Sequence, residues 1–216
     1  MKFPQFDFEI NNLIPQSGGL TNTCIKLETS AGDFLWRPIS KQAKLLGADR
    51  DNEALILQHL DAHSFAPKLV TKTFDGILVQ WLPGQMVSIE NAQSAAMTLL
   101  TKVHHLDMPL LNQLPILRIK QRINDYFEQL TEVNRSTLIE RYVTHFQTQS
   151  DAHLFPISLC HFDVGAHNIV QMEKELGLID WEYACLGDPS LELTITILVN
   201  KYNCRDAIAH YCQLSQ

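Results

Sequence analysis

Three side chains with the chemistry of phosphoryl transfer lie close together in the last third of the sequence. Asp163 follows His161 in the segment Cys160–Asn168, Asn168 comes five positions after Asp163, and Asp180 ends a short apolar run further on. Phosphoryl transfer needs a carboxylate that orients and deprotonates the acceptor hydroxyl, and oxygen ligands that hold magnesium against the nucleotide phosphates. The pattern therefore predicts Asp163 as the catalytic base and Asn168 with Asp180 as Mg2+ ligands, with ATP as the phosphoryl donor.

The same residues also have an ordinary structural interpretation. Asp163 could cap a turn, Asn168 could end a loop, and Asp180 could cap the helix that follows. Residues 175–179, however, have the pattern of a turn followed by a strand, and such a hairpin would carry the second aspartate back to the catalytic loop. We therefore expect phosphoryl transfer, with His161 in the catalytic set as a brace for the loop.

A small antiparallel sheet is predicted in the first third of the chain, where it could hold a nucleotide over these groups. Residues 23–29 and 34–38 flank a turn at Gly32 and predict a hairpin, and residues 65–70 and 76–81 predict two further strands. The sheet is expected to end at Leu82-Pro83-Gly84, because proline and glycine interrupt a strand.

Helices are predicted for much of the rest of the chain. Residues 49–60 form an apolar helical face within the sheet region, and similar spacing recurs after Ser88, across 118–148 and across 191–202. We expect His104 and His105 to pack and cap a helix end, since adjacent helical residues point about 100° apart and do not easily share a metal. The prediction is an α+β protein with an N-terminal lobe over residues 1–82 and a helical C-terminal lobe over residues 83–216.

Two long motifs carry a family resemblance. They read LCHFDVGAHNIV and LGLIDWEYACLGDPSLEL. They resemble the aminoglycoside phosphotransferase and choline kinase superfamily, and the second is most similar to its thiamine kinase and choline/ethanolamine kinase branches. Residues 15–22 resemble the glycine-rich nucleotide loop of those branches, and residues 78–84 resemble their hinge. The resemblance extends over roughly residues 10 to 200 and implies a protein kinase-like fold of two lobes.

The resemblance also implies a set of ATP-binding residues. Arg37 is at the end of the second predicted strand, where kinases commonly place a lysine for the phosphates, and an arginine can bind phosphate through its planar fork. Glu53 is the candidate partner of Arg37. The alternatives are an exposed Arg37, a solvated Glu53 and a Trp81 that packs at the lobe interface. The full expected set is Ser17, Gly18, Gly19, Asn22, Arg37, Glu53, Gln80, Trp81 and Leu82.

The acceptor is expected to be a small cationic alcohol. Trp181, Glu182 and Tyr183 follow Asp180 and could form an aromatic and acidic wall beside Asp163. They could equally pack a helix and make an internal ion pair. The resemblance favours thiamine as the acceptor. Choline, ethanolamine or an aminoglycoside is the alternative, and a nucleotide-binding pseudokinase without catalysis is a second one.

Composition excludes several other classes of protein. A chain of 216 residues that is 45% hydrophobic can bury a sizeable core. Its net charge of −7 and its lack of a basic run argue against nucleic acid as a partner. Five cysteines without a C-x-x-C pair argue against a zinc site or a disulfide framework. No signal peptide or membrane-length apolar run is evident, so we expect a cytoplasmic protein with no membrane contact and leave its oligomeric state open.

Overall fold

The computed structural model describes residues 8–16, 24–107, 113–149 and 153–216. Its first part is a five-stranded antiparallel sheet in the order β1-β2-β3-β5-β4. The strands are β1 (Ile10–Pro15), β2 (Ile25–Thr29), β3 (Gly32–Pro38), β4 (Leu69–Lys72) and β5 (Gly76–Gln80). The strands predicted at 23–29, 34–38 and 76–81 are confirmed, whereas the strand predicted at 65–70 begins later, at Leu69, after Pro67, which has no N–H to donate. The strand β1 is an edge strand that the sequence analysis did not predict.

Alternation of apolar side chains gives this sheet two covered faces. Leu27, Trp36 and Leu78 pack together on one face, and each comes from a different strand, β2, β3 and β5 respectively. On the other face Ile77 and Val79 join the main core. Because successive residues of a strand point to opposite faces, β5 contributes to both layers.

Two helices accompany the sheet, α1 (Lys41–Leu45) and α2 (Arg50–His59). The side chain of Asp49 accepts hydrogen bonds from the amides of Asp51 at 2.8 Å and Asn52 at 3.3 Å, so it caps the start of α2. The cap fixes where α2 begins and thereby places Glu53 in its first turn, facing β3. We call the five-stranded sheet with α1 and α2 the N-terminal lobe.

Helices with three small strand pairings form the remainder, which we call the C-terminal lobe. The helices are α3 (Ile89–His104), α4 (Ile119–Glu128), α5 (Thr137–Thr148), α6 (Pro189–Val199) and α7 (Cys204–Leu214). The strands are β6 (Gln85–Met86), β7 (Ser158–Cys160), β8 (Ile169–Gln171), β9 (Leu176–Leu178) and β10 (Cys185–Gly187). The helix α3 runs through the core, since Ala96, Met97, Leu99 and Leu100 are completely buried.

The strands of the C-terminal lobe carry the predicted catalytic segments. The order β6-β8-β9 makes one antiparallel sheet, and β10 pairs with β7. The chain between β7 and β8 holds the His161–Asn168 turn, and the end of β9 leads directly to Asp180. Because β8 and β9 are neighbours, Asn168 and Asp180 lie at the same end of a hairpin.

The helix α4 connects the two lobes through polar contacts. Tyr126 donates its hydroxyl hydrogen to the carbonyl of Leu46 at 2.8 Å, and Gln129 donates to the carbonyl of Leu45 at 2.9 Å. Arg122 also reaches the Leu46 carbonyl, at 3.3 Å. These carbonyls lie at the end of α1, where a helix leaves acceptors without intrahelical partners. The side chains of α4 therefore hold α1 against the C-terminal lobe.

The predicted fold class, α+β with an antiparallel sheet followed by a mainly helical part, is confirmed. The lobe boundary at residue 82 remains a prediction. Within the described ranges, every helix is too short or too polar to cross a membrane.

Candidate active site

The segment from His161 to Asn168 forms a tight turn braced by its first histidine. His161 is completely buried, and its Nε2 lies 3.0 Å from the carbonyl of Ile179. A carbonyl only accepts, so Nε2 carries the hydrogen, and Nδ1 is left to accept from the amide of Asp163 at 3.3 Å. Burial lowers the pKa of His161, in agreement with this neutral form. The side chain links the turn to the strand that precedes Asp180.

Two side chains bind the carboxylate of Asp163. The Nδ2 atom of Asn168 lies 2.9 Å from Oδ2, and the same atom lies 2.9 Å from the carbonyl oxygen of Asp163. On the other side, Nε2 of His167 lies 3.3 Å from Oδ1. The hydrogen bond that His167 donates to Asp163 raises the pKa of His167. Because its NH2 group faces Asp163, the amide of Asn168 has its oxygen left for another partner.

The backbone brings Asp180 beside these residues. The amide of Ile179 donates to the carbonyl of Asn168 at 2.9 Å, so Asp180 begins one residue away from that contact. Asp180 adopts the left-handed region, with φ of 67°. Its side chain is 29% exposed and that of Asp163 is 36% exposed, so both carboxylates reach solvent. The structure therefore joins the side chains of Asp163 and Asn168 and places Asp180 one residue beyond a backbone contact with Asn168.

Arg37 makes direct contact with the carboxylate of Asp180. Burial opposes ionisation of Asp180, but the charge of Arg37 and its hydrogen bond hold the pKa of Asp180 below its usual range. The Nε atom of Arg37 is also 3.0 Å from Glu53, close enough for an ion pair although the N–H does not point at that oxygen. Arg37 is thus a buried cation between the two lobes, paired with both carboxylates.

Glu182 belongs to the same buried cluster of charges. Its Oε2 atom lies 3.3 Å from Arg37 and 2.9 Å from Arg50, and Arg50 also pairs with Glu53. Glu182 is 4% exposed and was expected to face the acceptor. In the structure it lies in the ion-pair cluster, the alternative that the sequence left open. Arg50 was not predicted, although its i, i+3 spacing to Glu53 on a helix was a readable signal.

A cleft between the lobes brings the predicted nucleotide-binding residues together. Arg37, Glu53, Gln80, Trp81 and Leu82 all line it, and Asp180 closes one end. Most of its other lining side chains are apolar, as a flat aromatic base requires. They are Leu35, Leu57, Pro67, Val79, Met86, Val170 and Ile179. The expected phosphate-loop residues Ser17, Gly18, Gly19 and Asn22 lie outside the described residues.

The hinge tryptophan is held from one side by a cation. The Nζ atom of Lys26 lies 5.0 Å from the centre of the Trp81 ring, within the range of a cation–π contact. Lys26 is itself held 2.7 Å from Asp33 and 3.1 Å from Glu28. Trp81 is half-buried at the mouth of the cleft, so it is available as a wall for a bound base.

Trp181 and Tyr183 occupy different environments. Trp181 is completely buried, donates to the carbonyl of Leu178 at 2.9 Å, and packs edge-on against His161. Tyr183 instead lines a polar pocket beside α4. Burial raises the pKa of Tyr183 to about 12, and the nearby carboxylates of Glu182 and Asp163 add to the shift. Of the three residues predicted at the acceptor wall, Trp181 and Glu182 are buried and Tyr183 is partly exposed.

The sequence analysis missed Glu192, which accepts hydrogen bonds from the first residues of the His161–Asn168 turn. Its Oε1 atom accepts from the amides of His161 at 2.8 Å and Phe162 at 2.5 Å. Its Oε2 atom lies 2.7 Å from Nε2 of His104, whose other nitrogen meets the hydroxyl of Tyr211 at 2.7 Å. His104 is thus the packing residue expected, with an added hydrogen-bonding role. No local sequence pattern marks Glu192, because its partners lie on other elements.

The oxygen donors near Asp163 are of the type that magnesium prefers. Asp180 supplies an ionised carboxylate, and Asn168 supplies an amide oxygen because its NH2 group is bound to Asp163. Magnesium takes hard oxygen ligands and retains several waters or phosphate oxygens, so one carboxylate and one amide suit it. The two residues therefore fit the predicted metal.

The comparisons with known proteins show a family and a shared fold. A family model of choline/ethanolamine kinases matches residues 13–215. The chain is 25% identical over 155 residues to the protein LicA homolog of Mycoplasma capricolum subsp. capricolum, covering 70% of this chain and 63% of the relative. It is 29% identical over 150 residues to the thiamine kinase of Escherichia coli O6:K15:H31, covering 68% of this chain and 52% of the relative.

A solved structure has a similar fold. The crystal structure of choline kinase LicA from Streptococcus pneumoniae matches with a TM-score of 0.72 at 16% identity, over 96% of this chain and 76% of the other. The present chain spans between half and two thirds of the length of the two curated relatives, 52% of one and 63% of the other.

Proposed function

Because this chain belongs to the choline/ethanolamine kinase family, with a match over residues 13–215, we propose that it transfers the γ-phosphoryl group of ATP to a small cationic alcohol. The observation that supports the proposal is that Asn168 binds the Asp163 carboxylate and lies, through the backbone bond from Ile179, next to the segment that carries Asp180, which lines the interlobe cleft. An aspartate base and two oxygen ligands for magnesium are the parts that phosphoryl transfer to a hydroxyl requires.

In the proposed reaction Asp163 orients the acceptor hydroxyl and accepts its proton. A lone pair of the acceptor oxygen forms a bond to the γ-phosphorus as the bond from that phosphorus to the bridging oxygen breaks. The bridging oxygen keeps the electron pair, so the products are ADP and the phosphorylated alcohol. Magnesium held by Asn168 and Asp180 would neutralise phosphate charge in this site.

The chain's other residues position the nucleotide. The apolar cleft accepts the adenine ring against Leu35, Val79 and Ile179, with the hinge at Gln80–Leu82 beside it. Arg37 lies at the phosphate end of the cleft, next to Asp180. Since a guanidinium presents a planar fork of donors, it can bind phosphate oxygens while Glu53 holds its Nε side.

We propose thiamine as the preferred acceptor. Thiamine and choline are both cationic alcohols, and an aromatic ring beside carboxylates suits either cation. Tyr183 offers such a ring, close enough to Asp163 for that carboxylate to influence its pKa. The similarity to a thiamine kinase supports thiamine, and the match to the choline/ethanolamine kinase model supports choline or ethanolamine as second candidates.

One assay tests the activity and ranks the acceptors. ADP release would be measured with ATP and magnesium in the presence of thiamine, choline, ethanolamine or kanamycin, and again without magnesium. We expect magnesium-dependent release with thiamine, and loss of that release in an Asp163→Asn variant that still binds ATP. ADP release by Asp163→Asn at the wild-type rate would exclude Asp163 as the base. No release with any acceptor would instead favour a nucleotide-binding protein without catalysis.

A further inference from the structure

His167 is a second partner of the Asp163 carboxylate that neither the motif nor the proposed mechanism assigns. Its Nε2 atom is 3.3 Å from Oδ1, the oxygen opposite the one that Asn168 binds. A carboxylate at neutral pH accepts and cannot donate, so Nε2 of His167 must carry the hydrogen. The side chain of His167 is 59% exposed, whereas Asn168 is buried. Asp163 is thus held from the buried side by an amide and from the open side by an imidazole.

The turn is shaped to hold the imidazole in this place. A Cβ atom added at Gly165 would lie 2.7 Å from Cε1 and 2.9 Å from Nδ1 of His167, and 2.6 Å from Oδ1 of Asn200. The ring therefore packs directly over the Gly165 backbone, in space that only glycine leaves empty. Asn200 in turn donates to the carbonyl of Val164 at 2.9 Å, which fixes the other side of the turn. The turn thus restricts the imidazole to a position from which it contacts Asp163, unlike a surface side chain that is free to rotate.

We propose that His167 is a positioning residue for Asp163, which holds Oδ1 in the orientation that receives the acceptor hydroxyl. The inference rests on the proposed kinase function and assigns a role within the same site. A carboxylate on a short side chain can rotate about its terminal bond, and one bond from Asn168 fixes only one of its oxygens. The second bond defines the plane of the carboxylate, and with it the direction of the remaining lone pair on Oδ1. A small error in that direction slows transfer without changing how ATP binds.

Substitutions separate the hydrogen bond from the bulk of the ring. In His167→Ala and His167→Phe we expect kcat to fall by roughly ten- to a hundred-fold, with the KM for ATP nearly unchanged, because misplacement by about 1 Å has effects of this size. In His167→Gln the side-chain amide nitrogen can reach the place of Nε2, so we expect most of kcat to return. The matched control is His59→Ala, since the hydrogen bond that His59 makes within the described residues is to the Leu55 carbonyl of its own helix. The control should keep wild-type kcat.

Two results would overturn the inference. The first is a kcat in His167→Ala and His167→Phe equal to or above that of the wild type, because the imidazole would then be neutral or would compete with the acceptor for Oδ1. The second is independent of turnover. Spectra of 15N-labelled imidazole should find the Nε2–H form of His167 in the wild type and a changed signal in Asp163→Asn, and identical spectra would mean that the contact does not exist. If every acceptor fails while the spectra differ as expected, the kinase function is wrong and the catalytic role of His167 falls with it.

Discussion

Replacement of Glu192 is the most direct test of how the His161–Asn168 turn is held. Glu192 is completely buried on α6, and three donors point at its carboxylate, namely the amides of His161 and Phe162 and Nε2 of His104. Phe162 has φ of 62°, in the left-handed region that is unfavourable for a bulky residue. The carboxylate therefore both satisfies buried donors and holds a strained peptide in place.

The size of the effect follows from the donors left behind. Glu192→Ala leaves three buried N–H groups without an acceptor, at about 1–3 kcal/mol each. Some relaxation and water entry are expected, so we expect a loss of about 4 kcal/mol in the free energy of unfolding, toward the lower end of that range. Glu192→Gln keeps an oxygen for the two amides, and His104 can present an unprotonated Nε2 to the new NH2 group. The loss in this variant is then mainly that of charge assistance, about 1–2 kcal/mol.

Urea unfolding, followed by tryptophan fluorescence, gives the free energies of unfolding. Amide hydrogen exchange at Phe162 reports the hydrogen bond that this amide donates to Glu192. The matched control is Ile197→Ala on the same helix, because Ile197 is buried but accepts no hydrogen bond from the turn. It should lose about 2–4 kcal/mol through the cavity it creates, with the Phe162 amide exchanging only through global unfolding. In Glu192→Ala the Phe162 amide should exchange faster than global unfolding allows. A cost below about 1 kcal/mol for Glu192→Ala, or equal costs for the two Glu192 variants, would refute the reasoning.

Two further outcomes follow from single positions. Gly47 has φ of +88°, and an added Cβ would lie 1.2 Å from Nη1 of Arg122, whereas Gly32 has φ of +119° and open space around it. Gly47→Ala should therefore lower Tm by more than Gly32→Ala. Equal Tm losses in a thermal melt would mean that the contact between Gly47 and α4 contributes nothing to stability. For pH, burial opposes ionisation of Glu192, but the hydrogen bonds from His104 and the Phe162 amide hold its pKa below its usual value. Its ionisation therefore stabilises the fold above about pH 4.3, the unfolded value, and this contribution is lost as the pH falls through the folded pKa. The difference in unfolding free energy between wild type and Glu192→Gln should be constant near neutral pH and shrink below about pH 4, and an unchanged difference at pH 3 would contradict the assignment.

Local sequence patterns were sufficient to predict the three central strands of the sheet and the longer helices, but not the edge strand β1. The hairpin around Gly32 follows from alternation and a glycine turn, and α2 follows from Asp49 as a cap before an apolar face. The strands β6 to β10 were harder, because each has only two or three residues and so shows no period. Their pairing depends on contacts between distant segments, such as β10 with β7.

In the candidate site, too, some residues could be predicted from local spacing and others could not. The spacing of Asp163, Asn168 and Asp180 was readable because these residues share one turn and one hairpin. The environment of Glu182 was not, because its partners Arg37 and Arg50 are on the N-terminal lobe, more than 130 positions earlier. A motif specifies which side chains occur in order along a strand or turn, but the face that each one takes is decided by what packs against it.

The cluster of Arg37, Arg50, Glu53 and Glu182 has a consequence for how the cleft works. All four side chains are nearly completely buried, and the ion pairs of Glu182 with the two arginines join β3 and α2 to the segment after Asp180. Separation of the lobes at this point would take the Glu182 carboxylate away from the guanidinium groups of Arg37 and Arg50. Removal of one partner from a buried ion pair costs about 3–5 kcal/mol. The α4 contacts with α1 tie the lobes together at a second place. Because both ties would have to break, we expect the cleft to be largely formed before ATP binds, with entry to it governed by side chains such as Trp81.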